Sequence, residues 1–273
     1  MTAKHPSRHS SAVVTGAGSG IGRAFALEIA ARGGRVICSD INLTTAQETV
    51  QLIQAKGGVA LAVKTDVAQI AEVESLAAEA EAWLGGPVTL VVNNAGVGVG
   101  GKPVGEIPLA DWQWALGINL WGVVHGCHVF APKLRALGQG GIINVCSTAS
   151  FAAAPGMSPY NVSKAAALAL SETLAAELAG TGVAVTALCP TWVKTNIVQG
   201  GRIAANASGL AGKLINRGMS PERVVREALD ALDAGRLYVM PQLDARLIWR
   251  FKRLMPDSYR FGAGLIARYA LKA

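Results

Sequence analysis

Residues 11–22 read SAVVTGAGSGIG: five small or β-branched residues, then Gly16, Gly18, Gly20 and Gly22 within seven positions. The run that follows, GRAFALEIAARGG (22–34), has helical periodicity and closes on a glycine pair. A strand that breaks into glycines and re-forms at once as a helix is the context a phosphate-cradling turn requires. Glycine lets the backbone approach a pyrophosphate, whose charge then meets the amides and positive dipole end of the helix. The spacing here is GxxxGxG, not GxGxxG.

Outward from that turn the rhythm repeats. RVICSD (35–40), VALAVKTD (59–66) and VTLVVNN (88–94) alternate with Ala-rich helix-period stretches at 44–58 and 71–86. A helix is expected over 109–137, a strand at GIINVCS (141–147), a helix over 158–180, a strand at VAVTALCP (183–190) and a seventh strand at RLYVMP (236–241). The strands are continuously apolar without in-out alternation, as in parallel sheets covered on both faces. The expected fold is a single α/β domain over 11–242, a doubly wound, Rossmann-like parallel sheet of about seven strands, with a basic amphipathic extension over 243–273. Residues 190–219, rich in Gly, Asn and Ala, read as one long connection of the kind that forms lids and binding loops.

Composition narrows the function. At 273 residues, 51% hydrophobic and 16% charged, the chain can bury a large core and is not disordered. No apolar run is long enough to span a membrane and residues 1–10 lack a signal-peptide core, so the cytoplasm is the expected compartment. The net charge of +7 sits in the tails: residues 1–10 carry +2, residues 243–273 carry +5, and the body between is neutral. That distribution argues against nucleic-acid binding. Cys38, Cys127, Cys146 and Cys189 stand singly and read as reduced, buried small hydrophobes; His125 and His128 lack a third ligand, so no metal is expected.

Several residues at the carboxyl ends of these strands carry chemistry. Asp40 ends the second strand about twenty residues past the glycines, where a carboxylate accepts both hydroxyls of an adenosine ribose and repels a 2′-phosphate. No base stands at Ser19 or Ile41 to neutralise such a phosphate, so the expected cofactor is NAD. Tyr160 and Lys164 share one face of a helix. Ser147 precedes Tyr160 by thirteen residues, Asn119 lies within the preceding helix pattern, and Asn93-Asn94-Ala95-Gly96 ends the fourth strand.

With TGxxxGIG, this set resembles the short-chain dehydrogenase/reductase family over about residues 11–240, with an Asn119, Ser147, Tyr160, Lys164 tetrad. The resemblance implies hydride transfer between an alcohol carbon and a nicotinamide, Tyr160 exchanging the hydroxyl proton. It further implies that Lys164 binds the nicotinamide ribose, Ser147 hydrogen-bonds the reacting oxygen and Asn119 holds a relay water. Cofactor contacts implied in the same way are Gly16, Gly18, Ser19, Gly20, Ile21, Gly22, Asp40, Asp66 and Val67 at adenine, Asn93, Ala95 and Gly96 in the cleft, and Val193 and Thr195 at the carboxamide. A phenol titrates near 10, so Tyr160 needs a cation. One about 5 Å away at an effective dielectric near 20 supplies roughly 3 kcal/mol, or about two pKa units, and Lys164 is placed for it. Two positions depart from the family pattern: Thr191 follows Pro190 where glycine is usual, and Ser150 stands where glycine often follows the serine segment.

The substrate is expected along 97–102, 148–159 and 191–219, where Phe151, Met157 and Trp192 are bulky and no arginines cluster; a lipophilic secondary alcohol or ketone fits. Alternatives are an NADPH-dependent carbonyl or ketoacyl reductase, against which Asp40 stands, and a non-catalytic NAD(H)-binding regulatory protein, against which the tetrad stands. Trp112, Trp114 and Trp121 in the 109–137 helix suit a homodimer or homotetramer interface. In LDARLIWRFKRLM (243–255), Leu243, Leu247, Ile248, Phe251, Leu254 and Met255 share one face and Arg246, Arg250 and Arg253 another, which suits peripheral membrane contact or, alternatively, a helix covering the cleft or a neighbouring subunit.

Overall fold

The computed structural model describes residues 5–270. Strand β1 (Ser11–Thr15) leads through α1 (Gly20–Ala31) to β2 (Arg35–Asp40), and α2 (Leu43–Gln54) to β3 (Val59–Lys64). The chain then crosses by α3 (Ile70–Leu84) to β4 (Leu90–Asn93). A short β5 (Val99–Gly100) precedes α4 (Leu109–Leu116), a π-helical turn (Gly117–Trp121) and α5 (Gly122–Leu137). Next come β6 (Gly140–Val145), α6 (Ala149–Ala152), α7 (Ser158–Glu177), β7 (Val183–Leu188), β8 (Arg202–Ile203) and α8 (Ala205–Asn216). The chain finishes with α9 (Pro221–Asp233), β9 (Tyr238–Val239), α10 (Leu243–Leu254) and α11 (Pro256–Ala270).

Seven strands form one sheet in the order β3-β2-β1-β4-β6-β7-β9, every pair parallel. The doubly wound sheet expected from the sequence is therefore present, seventh strand included. Boundaries follow local chemistry: Asn42 caps α2 by accepting from the Thr44 and Thr45 amides, Ser220 and Pro221 open α9, and Gly85 and Gly138 end α3 and α5 in the left-handed region. One face is covered by α1, α2 and α9 through Phe25, Ile29, Ile53, Val225, Leu229 and Leu232. The other is covered by α3, α5 and α7 through Leu76, Phe130, Leu134, Leu168 and Leu174. Each such side chain contributes about 1.5–3 kcal/mol on burial. All four cysteines are free and buried, and burial pushes the Cys38 and Cys127 thiols up to about 12, as for inert core residues.

Two expectations change. Residues 190–219 are not a bare connection: β8 pairs with β5 as a separate two-stranded sheet and α8 follows it. The helix over 109–137 is interrupted by the π turn, which places Asn119 inside it. Of the three tryptophans there, Trp114 is held under the Arg202 guanidinium, 4.3 Å from its ring centre, while Trp121 is 53% exposed.

Strand order reverses between β1 and β4, with β2 and β3 on one side and β6, β7 and β9 on the other. The crevice at the carboxyl ends of β1 and β4 is where open α/β sheets bind ligands.

Candidate active site

The glycine turn is built to keep side chains out. At Gly16, whose φ is +66°, a Cβ would lie 2.8 Å from Asn94 Nδ2, and at Gly18 one would collide with Thr45 and lie 2.8 Å from Asp40 Oδ2. Asn94 braces the turn: its Nδ2 donates to Thr15 O at 2.8 Å and Gly16 O at 3.2 Å, while the Asn94 and Ala95 amides donate to Thr15 Oγ1. Ser19 precedes α1 without a side-chain cap, so the opening amides of Gly20, Ile21 and Gly22 have no intrahelical acceptor and present the positive end of the helix dipole. A Cβ on Gly20 would lie 3.1 Å from Thr195 Cγ2, which brings the expected carboxamide segment against the turn. Val193 is buried and bridges to Met219.

Asp40 holds the other end of this cradle. Its Oδ2 accepts from the Gly18 amide at 2.8 Å and its Oδ1 from the Asn42 amide at 2.9 Å. A nearby base escaped the sequence reading: Arg23, whose guanidinium pairs with Glu48 at 2.8 Å and donates to the Gly18 and Thr45 carbonyls. Its charge is committed to those partners. Beyond Asp40, the Asp66 Oδ1 accepts from the Ala68 amide, and the Val67 carbonyl meets His125 Nδ1 at 2.8 Å.

Asn93 departs from its expected place in the cleft wall. Its side chain is 3% exposed and turns inward, donating to Asn144 Oδ1 at 2.8 Å, because Asn93 and Asn144 are register partners on β4 and β6. Asn144 in turn donates to Ser171 Oγ on α7 at 3.0 Å. This buried ladder ties three elements beneath the crevice.

The tetrad converges. Ser147, just past β6, lies close enough to Tyr160 to pull its phenol down, and Lys164 one turn along α7 is 3% exposed with Nζ donating to Val145 O at 2.7 Å. Asn119 is fully buried; its Oδ1 accepts from the Val97 amide at 2.8 Å, and its Nδ2 donates to Val97 O at 2.9 Å and Ser163 Oγ at 3.3 Å. Those bonds fix the Gly96-Val97 wall, so that a Cβ on Gly96 would lie 3.1 Å from Asn119 Oδ1 and 3.4 Å from Lys164 Nζ. Ser150, the departure from glycine, donates to the Lys164 carbonyl at 2.8 Å and accepts from the Ser147 amide at 3.3 Å, locking the Ser147 segment to α7.

Electrostatics here differ from the simple expectation. Burial raises the Tyr160 phenol and the Ser147 hydrogen bond pulls it back down; burial lowers Lys164. The Lys164 ammonium is held in place by the Val145 carbonyl. The three expected substrate segments do meet: the Gly101 amide donates to Gly156 O at 2.7 Å, and β5 pairs with β8. Thr191, the second departure, donates to Asp244 Oδ1 at 2.8 Å and ties this end of the cleft to α10.

Residues 10–205 match the family model described as short chain dehydrogenase. "Probable oxidoreductase EphD" of Mycobacterium tuberculosis is 35% identical over 263 residues, 92% of this chain; the chain spans only 44% of that relative's length. "1-deoxy-11-beta-hydroxypentalenate dehydrogenase" of Streptomyces exfoliatus is 35% identical over 257 residues, covering 90% of this chain and 91% of that protein. Among solved structures, a short chain dehydrogenase/reductase from Burkholderia phymatum in complex with NAD superposes with a TM-score of 0.87 at 32% identity, covering 92% of this chain and 95% of that one. With the strand order, the glycine cradle and the converged tetrad, these likenesses make the chain a member of the short-chain dehydrogenase family of oxidoreductases.

Proposed function

We propose that this oxidoreductase interconverts a lipophilic secondary alcohol and its ketone with NAD. The observation that carries the reading is that Asn119 and Lys164 meet at the Gly96 wall, with Ser147 and Tyr160 beside one another, while the glycine cradle ends in an anchored Asp40. NAD fits the residues present: the cradle leaves no room for Cβ atoms, the α1 amides would face a pyrophosphate, and the anchored Asp40 carboxylate would accept ribose hydroxyls. Bound NAD would supply the hydride acceptor and, when oxidised, a positive charge. Gly16, Gly18 and the first turn of α1 would hold its phosphates, Asp40 its adenosine ribose, Lys164 its nicotinamide ribose, and Val193 and Thr195 its carboxamide.

Ser147 Oγ orients the substrate oxygen. Tyr160 Oη takes the hydroxyl proton as the carbon is oxidised and returns it in the reverse direction. Burial opposes ionisation of Tyr160, so a cation at the site must favour the phenolate, and Lys164 contributes through its charge at the same wall. Phe151, Met157 and Trp192 give the substrate segments their apolar character. Trp121 (53% exposed), Leu109 (79%) and Val162 (47%) lie on α4, the π turn and α7, a surface suited to homo-oligomerisation.

The test is turnover of bulky secondary alcohols followed by reduced-nicotinamide absorbance, with NAD and NADP compared. Tyr160→Phe is expected to reduce the rate by at least about a thousandfold while leaving NAD binding intact, because only proton exchange is removed. Wild-type turnover in that variant refutes the mechanism. NAD binding without turnover of any alcohol favours the non-catalytic reading.

A further inference from the structure

The last two helices turn their apolar side chains away from the body. Ala245 is fully buried, and α10 packs inward through it with half-buried Ile248, Trp249 and Lys252. Two hydrogen bonds fasten the pair to α6: Lys252 Nζ donates to Phe151 O at 2.6 Å, and Tyr259 Oη donates to Ala152 O at 2.7 Å. At 100° per residue the opposite side of α10 carries Leu243, Leu247 and Leu254, which are 68%, 56% and 80% exposed. On α11, Phe261 (70%) and Leu265 (40%) are likewise outward. A helix that merely covered the cleft would face its leucines the other way.

The charges around these residues say what covers them. Arg250 flanks the α10 leucines while Arg253 stacks on Trp249 at 4.0 Å; Arg260 and Arg268 stand on α11 beside Phe261 and Leu265, and residues 243–273 carry +5 on a chain whose body is neutral. A second copy docking through the same face would set these arginines against their own equivalents. The acids available to balance them are two, and both have partners in this chain: Asp244 accepts from Thr191, and Asp257 lies 3.8 Å from Arg260 in a solvent-exposed pair. An anionic bilayer offers the complementary chemistry: acyl chains for the leucines and phenylalanine, phosphates for the arginines.

We propose that α10 and α11 form a peripheral docking surface for anionic lipid bilayers. Docking there would hold α6, on the inner side of these helices, about one helix diameter from the lipid. Taken with the lipophilic-substrate reading above, on which this one consequence rests, the site is then kept close to the phase in which its substrate dissolves.

The full-length protein is floated with vesicles of phosphatidylcholine alone or mixed equally with phosphatidylglycerol, at about 0.1 M salt, where the screening length is about 10 Å. Flotation with the mixed vesicles only, weakened by added salt, is expected. Leu247→Ser/Leu254→Ser is expected to cut the floated fraction by about tenfold or more, and Arg250→Gln/Arg260→Gln by several-fold, with cofactor binding unchanged in both. All four positions are exposed, so folding is not at stake. No flotation, equal flotation with the neutral vesicles, or flotation indifferent to these substitutions overturns the proposal. So does a lipid-free dimer that Leu247→Ser/Leu254→Ser dissociates, which assigns the face to a second copy. None of these readouts uses turnover, so the docking and the reaction fail separately.

Discussion

Replacing Asp40 with alanine should relax cofactor choice, and its size follows from the contacts. The carboxylate is anchored by two amides, Gly18 at 2.8 Å and Asn42 at 2.9 Å, so it cannot swing away from an incoming 2′-phosphate. At about 5 Å and an effective dielectric near 20, one carboxylate opposes a phosphate of nearly two charges by roughly 5 kcal/mol; screening at the crevice mouth halves this, leaving about 3 kcal/mol, or a hundredfold. Asp40→Ala removes that repulsion and frees both amides to donate to the phosphate. It also removes the acceptor for the ribose hydroxyls, worth about 1.5–3 kcal/mol for hydrogen bonds to a charged group. The ratio of kcat/KM for NAD to that for NADP should therefore fall by about a hundredfold or more, from losses on one side and gains on the other. Initial rates with each cofactor, one alcohol held constant, give the ratio directly. An unchanged ratio, or a wild-type enzyme that already favours NADP, refutes the assignment of Asp40 and points to Arg23 leaving Glu48 for the phosphate.

Two further outcomes follow from buried groups. Alcohol oxidation should speed up as pH rises through the alkaline range, because burial raises Tyr160 and only its deprotonated form accepts the proton; the rise should bend over where Lys164, lowered by burial, loses its charge. Ketone reduction should show the opposite slope, and a rate flat across neutral and alkaline pH contradicts both. Asn144→Leu strands the Asn93 amide and removes a donor from Ser171, at a cost of about 2–4 kcal/mol in urea unfolding; a loss below about 0.5 kcal/mol would show that the ladder beneath the crevice carries no strain-free advantage over apolar packing.

The fold was legible because parallel strands covered on both faces leave long apolar runs, and because the glycines between β1 and α1 have no alternative structural use as clear as a close backbone approach. The tetrad was legible only through the resemblance to the short-chain dehydrogenase/reductase pattern, because a tyrosine and a lysine four apart share a face of any helix. What escaped has no local signature. β5 and β8 are two residues each and exist only through their pairing with one another. Helix α8 contains Gly209 and Gly212, which lower its intrinsic propensity. The bracing by Asn94, the lock by Ser150 and the placement of Arg23 are hydrogen bonds between residues brought together by the sheet, and the inward turn of Asn93 is a matter of register with Asn144. On α10 the sequence showed the amphipathic pattern but left open which way the leucines point: fully buried Ala245 permits close approach on the other side, and Lys252 supplies a hydrogen bond to Phe151.

The π turn at Gly117–Trp121 accommodates one residue more than a continuous α-helix would over the same length. Because the extra residue is taken up within the turn, α4 and α5 keep the register of one uninterrupted helix; a residue inserted into or deleted from α4 or α5 itself has no such outlet and would rotate the helix beyond it by about 100°. Trp114 would then leave Arg202, or Asn119 would leave Val97. Among natural variants of this chain, insertions and deletions should therefore collect in the loops on either side of α4 and α5 and spare the span between them, even where substitutions within it are frequent.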